Sequence, residues 1–420
     1  MKNLLTMIGA AAVACGANAS SITIDSVVQR WPWNNKVDIT YTVTNGQKRA
    51  AGVYCGVEFN VSVPGYGDIL VHGYSLGASA EGDENGKQHT VTWTAPSGVK
   101  STDCTISATL FSTNVPSGND YMIVDLDSGE TYYEGLMDTQ DASNSRYNTD
   151  DYKTDKLVLR KIPKWADHGD LPNADALTAL GGYPTGDDVN YSTVNSRKNW
   201  QTAKDYYAGV FLVTLYQYTK LGLSNPSTYY KTDSEGNRAN LRPVQNVSWI
   251  DLRTNINPTN PIPAVTSNEG KFFQRLNFKT GFYFDLPTEV MFEIAQRAGA
   301  TTSYSWGNTT NELPNYCICK DNSGMTTWEV GSKLPNNWGL YDTAGNVWEW
   351  PLDKSGRTNL AGASDPFVPE GTGSQYRTRG WGWCESDSGQ AHYRASYRAT
   401  TTSNGGGRNR GFRVFRIVAD

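Results

Sequence analysis

Over residues 20–155 apolar and polar positions alternate in short runs. Val37, Ile39, Tyr41 and Val43 interleave with Asp38, Thr40 and Thr42, the period of a strand with one buried face. Residues 54–63, 69–74, 89–94, 104–111 and 121–126 read the same way, joined by stretches rich in Gly, Asn, Asp and Ser. Six or seven strands without a helical stretch predict an all-β, immunoglobulin-like sandwich. Beyond it the pattern changes. A strand at Leu157-Val158-Leu159 opens a second unit, and Gly222 closes a first helical run. Ser248 and Asp251 have the form of a capping box, and Phe273 and Leu276 lie on a helix that stops at Gly281. The clearest helix starts at Pro287-Thr288-Glu289. It puts Met291, Ile294, Ala295 and Ala298 on one face and ends at Gly299. After Thr301 the chain turns often and carries short aromatic strands. Helices followed by irregular strands predict an α+β domain over 156–420.

The first nineteen residues carry one charge, Lys2, then an apolar run over 4–14 and Ala17-Asn18-Ala19. That is the form of a secretory signal over 1–19, too short to span a bilayer. The expectation is an exported protein, secreted, periplasmic or at the cell surface, with no membrane span. A formal net charge of -5 without a long basic tract argues against nucleic acid.

Export permits disulfides. Cys55 and Cys104 fall on two candidate strands of the first domain and are expected to pair, which would stabilise by about 4 kcal/mol. Cys317-Ile318-Cys319 could be half of a metal site, but structural zinc needs four ligands. A bond from one of them to Cys384 is the preferred reading. The segment from Arg377 holds eight Arg and no Lys. Arg377, Arg394, Arg398, Arg413 and Arg416 are expected to tie strands and loops to carboxylates, with an anion-binding floor as the alternative. Trp381, Trp383, Tyr393 and Arg394 are the candidates for ligand binding.

Five segments in order carry a resemblance. They are Arg242-Pro243-Val244-Gln245-Asn246-Val247-Ser248-Trp249, Leu286-Pro287-Thr288-Glu289, Tyr304-Ser305-Trp306-Gly307-Asn308, the run Gly339-Leu340-Tyr341-Asp342-Thr343-Ala344-Gly345-Asn346-Val347-Trp348-Glu349-Trp350, and Gly411-Phe412-Arg413-Val414. Together with Arg379-Gly380 they resemble the formylglycine-generating enzyme family, the sulfatase-modifying factors. The resemblance covers residues 157–418 and implies a variant of the C-type-lectin-like fold. It also implies a calcium ion held by Asp342, the carbonyls of Gly345 and Val347, and Glu349. Carboxylates with carbonyls suit calcium; the alternative is that Asp342 makes a local turn and Glu349 pairs with an arginine.

Members of that family oxidise a substrate cysteine to formylglycine with copper and two cysteines. Alignment on Arg379-Gly380 and Tyr393-Arg394 puts those two positions at Glu385 and Gln390, and neither can be a thiolate. Cys384 falls one residue early. The expectation is a calcium-stabilised binding module for an extracellular protein or glycan, without copper. Two alternatives stay open. One is an oxidase with a rearranged thiol site built on Cys384. The other is a ligand-binding variable protein of a diversity-generating retroelement, whose variable segment would be 381–410.

Overall fold

The computed structural model describes residues 11–12, 21–29, 36–44, 53–76, 88–114, 118–136, 147–164, 202, 204–228, 238–253, 270–354, 375–385, 390–402 and 405–417. The expected secretory signal lies outside them except for Ala11 and Ala12. The chain divides into two units: 1–118 with 134–137 and 144–152, and 119–133 with 138–143 and 153–420.

Seven strands occur among the described residues up to Asn114, six of them in the alternating region. They are β1 (Ala11–Ala12), β2 (Ser21–Gln29), β3 (Lys36–Thr44), β4 (Val53–Val63), β5 (Gly67–Leu76), β6 (Gln88–Thr94) and β7 (Thr105–Asn114). They form two antiparallel sheets, ordered β1-β2-β3-β6 and β5-β4-β7. Val37, Ile39 and Tyr41 from one sheet and Val57, Phe59 and Val61 from the other share one buried cluster. The period-two pattern thus does what it predicts, turning alternate residues inward. The Cys55–Cys104 bridge does not follow. Cys55 stands opposite Ser112, whereas Thr105, next to Cys104, stands opposite Ser62. At about 3.3 Å per residue, the two cysteines are on the order of 25 Å apart, and a disulfide spans at most about 7 Å between Cα atoms. Cys104 is a buried thiol, directed at the Lys100 carbonyl at 3.5 Å.

The second unit carries β8 (Tyr121–Asp125), β9 (Thr131–Glu134), β10 (Lys156–Ile162), β11 (Tyr206–Gly209), β12 (Trp348–Glu349), β13 (Gln375–Thr378), β14 (Ala399–Thr402), β15 (Arg410–Gly411) and β16 (Phe415–Ile417). A five-stranded sheet runs β16-β11-β10-β8-β9. The run 121–126, expected in the first domain, is therefore part of the second. Tyr121, Met122, Ile123 and Val124 are all buried. A strand apolar on both faces belongs in the interior of a sheet, and β8 is paired on both edges, by β10 and β9.

Local signals set the helices. The helix Leu215–Lys220 starts in a reciprocal capping box: Gln217 N–H donates to Thr214 Oγ1 at 3.1 Å and Thr214 N–H to Gln217 Oε1 at 3.0 Å. Ser248 N–H donates to Asp251 Oδ2 at 2.9 Å, but the helix it opens, Trp249–Leu252, is one turn long. The helix Phe272–Thr280 stops at Gly281, φ +73°. Trp249, Trp350, Phe272, Phe273 and Phe412 anchor the core. The two indoles donate to Pro351 O at 3.1 Å and Val247 O at 3.0 Å, so burying them leaves no orphaned donor.

The helix Glu289–Arg297 begins as expected. Thr288 Oγ1 accepts from Met291 N–H at 3.2 Å, and Asp353 Oδ2 from Glu289 N–H at 2.6 Å. It ends one residue before the expected glycine, at Ala298 with φ +49°. Its apolar face packs inward, but its polar face is buried too, because arginines meet it. Arg379, fully buried, donates to Glu293 Oε2 at 2.8 Å, to Ala395 O at 2.7 Å and to Tyr397 O at 2.8 Å. Arg398 Nε lies 2.6 Å from Glu289 Oε1, and Arg297 pairs with Glu293 at 3.0 Å. Arg377 and Arg398 thus act as ties, Arg377 at 3.8 Å from Glu289. Arg416 instead lies over the Phe282 ring at 4.5 Å.

Removing the Arg379 guanidinium takes a buried donor from Glu293 Oε2 and from the carbonyls of Ala395, Ser396 and Tyr397. Arg379→Ala is expected to cost about 3–5 kcal/mol in urea denaturation, with Arg379→Lys recovering only part of it, because an ammonium cannot fork to the same acceptors.

Candidate functional site

The 339–350 segment folds against two others. Gly345, φ +88°, lies so close to Ile318 that a Cβ would sit 2.6 Å from its carbonyl oxygen. Asn346, φ +63°, donates from its backbone to Ile318 O at 2.8 Å. Its carboxamide clasps Trp328, accepting from N–H at 3.2 Å and donating to C=O at 3.1 Å. Trp348-Glu349 then pairs in parallel with Arg410-Gly411 and bridges Arg379.

The two acids of this loop are buried. Glu349 takes both its oxygens to Arg413, each at 3.1 Å, and Arg413 also donates to Gly209 O at 2.8 Å and Tyr341 O at 2.7 Å. Asp342, φ +54°, accepts from Gly331 N–H at 2.7 Å and, more weakly, from the Asn346 amide at 3.4 Å. Burial pushes both carboxyls above their usual range, and Arg413 only partly opposes it. The arginine pairing that was the alternative for Glu349 is therefore present. The donor types still suit a hard cation, since two carboxylates are buried here and main-chain oxygens lie between them in sequence.

The 381–385 segment returns across Trp348. Gly380 (φ +87°) and Trp381 (φ +63°) are both left-handed, and the tryptophan has no steric licence for it. A Cβ at Gly382 would meet Trp348 Cδ1 and Asn409 Cβ, each at 3.1 Å, so the glycine lets the indole close. Trp381 stacks flat on His392, centroids 4.1 Å apart and planes 6° apart, and meets Tyr397 edge-on at 5.3 Å and Trp348 at 4.8 Å. Its buried indole N–H meets no acceptor among the described residues.

Glu385, half-buried, accepts from Trp348 Nε1 at 3.1 Å and from the Asn409 amide. Cys384 beside it is a half-buried thiol, raised by burial and then by the Glu385 charge, with Arg408 and Asn409 pulling the other way. Gln390 opens a 3-10 turn over Gln390–Tyr393, and its side chain lies outside the described residues.

Three of the four ligand-binding candidates change role. Trp383 is fully buried and donates to Arg408 O at 3.1 Å, while Tyr393 and Arg394 are also buried. They are core because aromatic and arginine side chains are what this strand-poor region packs with. Trp381 is buried as well, but at the edge of half-exposed His392, Tyr397 and Glu385. Cys317, Cys319 and Cys384 are all thiols, so the expected bond to Cys384 is absent.

Residues 201–418 match the model of the sulfatase-modifying factor enzyme 1-like domain, more than half of the chain. The chain belongs to that family. It is 33% identical over 171 residues to the formylglycine-generating enzyme of Streptomyces coelicolor, covering 37% of this chain and 52% of that protein. It therefore spans about half of that relative's length. Chaperone protein LppX of Paenibacillus barcinonensis is 26% identical over 249 residues, 51% of this chain and 81% of LppX. Inactive C-alpha-formylglycine-generating enzyme 2 of Mus musculus is 32% identical over 142 residues, 30% of this chain and 41% of its own. Among solved structures, Treponema denticola variable protein 1 superposes with a TM-score of 0.48 at 22% identity, covering 63% of this chain and 96% of that one. The family match places residues 201–418, within the second unit, in the formylglycine-generating-enzyme-like domain expected from the motifs.

His392, Tyr397 and Asn409 escaped the sequence reading. Their spacing along the chain gives no hint that they converge. A raised thiol implies slow alkylation: Cys384 is expected to react with iodoacetamide slowly at neutral pH and faster as the pH rises beyond the ordinary thiol range, followed by peptide mass mapping.

Proposed function

We propose that this is an exported binding module, with an N-terminal immunoglobulin-type sandwich and a formylglycine-generating-enzyme-like domain that no longer oxidises cysteine. What carries the reading is Trp381. It holds a left-handed backbone and a buried N–H without an acceptor, beside the half-exposed Glu385, His392 and Tyr397. Strain and an orphaned donor persist where a ligand makes use of them. A carboxylate, a stacked imidazole, a phenol and an indole donor suit a ligand rich in hydroxyl or amide groups, an extracellular glycan or protein segment.

Copper has no place at the aligned positions. Glu385 is a hard carboxylate already engaged by Trp348 and Asn409, and soft thiolates are what Cu(I) selects. The names of two relatives, a chaperone and an inactive formylglycine-generating enzyme, accord with a protein that binds rather than oxidises.

Two measurements test this. Copper-loaded protein with a cysteine peptide is expected to take up no oxygen and leave the peptide mass unchanged; turnover would restore the oxidase reading. On a glycan and protein array a defined ligand is expected, bound about tenfold more weakly by Trp381→Phe, which keeps an aromatic side chain but loses the pyrrole ring and its N–H donor.

Calcium belongs to the same proposal as a stabiliser at Asp342 and Glu349, with Gly345 and Val347 carbonyls as further ligands. Both carboxyls are held above their unfolded values, so in calcium-free buffer their charge opposes folding once the pH exceeds those values. Asp342→Asn keeps the acceptor for Gly331. It is expected to raise the melting temperature in chelator and to abolish the further rise that calcium gives the wild type.

A further inference from the structure

The Tyr304-Ser305-Trp306-Gly307-Asn308 motif takes no part in the site at Trp381, yet its rings lead outward to solvent. Tyr304 and Trp306 stack with centroids 4.8 Å apart, and Trp306 and Tyr316 with centroids 4.9 Å apart, the planes 13° apart in both pairs. The three rings form one column. Tyr304 at its base is buried within an aromatic cluster, whereas Trp306 and Tyr316 are half-buried and pack against that cluster from outside. The column is fixed in place. Tyr304 and Gly307 exchange backbone hydrogen bonds at 3.0 and 3.3 Å, and Trp306 Nε1–H donates to Thr309 O at 3.0 Å. Cys317 N–H donates to Leu313 O at 2.8 Å and Leu334 N–H to Asn315 O at 2.9 Å, which hold the turn that carries Tyr316. Among the described residues the Tyr316 hydroxyl has no hydrogen-bond partner, and its ring meets no ring but Trp306.

Polar groups share that turn. Glu312 has helical backbone angles (φ -83°, ψ -7°), so Glu312, Asn315 and Tyr316, at i, i+3 and i+4, lie on one face. Asn315 Nδ2 donates to Glu312 Oε2 at 2.8 Å, and both residues are exposed. Glu312 Oε1 and Asn315 Oδ1 remain as acceptors without a donor among the described residues. Leu334, 53% exposed, adjoins Asn315.

We propose that Trp306, Tyr316, Glu312 and Asn315 form a carbohydrate site that takes a neutral, β-linked oligosaccharide of all-equatorial pyranoses. Such a sugar ring turns its axial C–H bonds to a face, and those hydrogens meet the electron-rich face of Tyr316. Its equatorial hydroxyls are donors at the ring's edge, where Glu312 Oε1 and Asn315 Oδ1 accept. An acidic sugar would meet the Glu312 carboxylate and be repelled. A peptide suits the face less well, because its carbonyls need donors and the Trp306 N–H is already engaged. Rings stacked in place before the ligand arrives lose little freedom when it binds. The site does not rest on the reading given for Trp381.

Titration calorimetry and saturation-transfer NMR of the full chain with cellohexaose and chitohexaose, and with oligogalacturonate as the anionic control, are the test. Binding of at least one neutral hexamer is expected, with oligogalacturonate unbound and saturation passing to the axial ring protons more than to the exocyclic methylene. Tyr316→Ala and Glu312→Ala are each expected to weaken binding about tenfold, and Trp381→Phe to leave it unchanged. Glu312 is exposed, so its variant keeps the test open should Tyr316→Ala fail to fold. No binding of either neutral hexamer, binding that both variants keep, preference for oligogalacturonate, or loss through Trp381→Phe alone overturns the proposal.

Discussion

The second unit turns on one buried guanidinium. Arg379 joins the Glu289–Arg297 helix, through Glu293 and Glu289, to the carbonyls of Ala395, Ser396 and Tyr397. It therefore fixes both ends of the loop that carries the site, with Trp381 two residues after it and Tyr397 among its acceptors. Burying a charge costs several kcal/mol unless it is paired and its donors are used. Arg379 has two carboxylates and three carbonyls, which is why an irregular region with little strand or helix can hold one shape. Arg413 does the same for the neighbouring loop, joining Glu349 to Gly209, Val210 and Tyr341.

That economy explains the character of the site. A domain poor in regular secondary structure must satisfy its backbone with side chains, and the family motifs are largely the residues that do so. Asn346 clasps Trp328, Asp342 takes Gly331 N–H, and Trp350 caps Val247 O. None of these contacts passes through position 385 or 390. Glu385 has even been absorbed into the framework, as an acceptor for Trp348 and Asn409. A carboxylate can do this where a thiolate would not, since it offers strong acceptor oxygens to two donors at once.

Much of the fold could be read from the chain. The strands of the first unit follow from alternation, and the helix starts at Ser248 and Thr288 from capping chemistry. What misled was reach. The run 121–126 has a strand's composition wherever it lies, and only pairing with β10 assigns it to the second sheet. Cys55 lies on β4 and Cys104 just before the adjoining β7, but register separates them, and register depends on every side chain along the pair. Trp383 and Tyr393 looked like a binding platform because an aromatic reads alike whether it faces the core or water.

By itself the sequence determined the family, the periodic elements, the turn chemistry of Gly222 and Gly281, and the absence of thiolates at 385 and 390. These are local or motif-borne properties, written in residue identity and spacing. The tertiary structure decided which charges pair, that the polar face of the Glu289–Arg297 helix is buried, and which aromatic ring meets which. It brought His392 onto Trp381 and Asn409 onto Glu385. Such pairings depend on where distant segments come to rest, which is set by the summed packing of the whole domain and by no single stretch of chain.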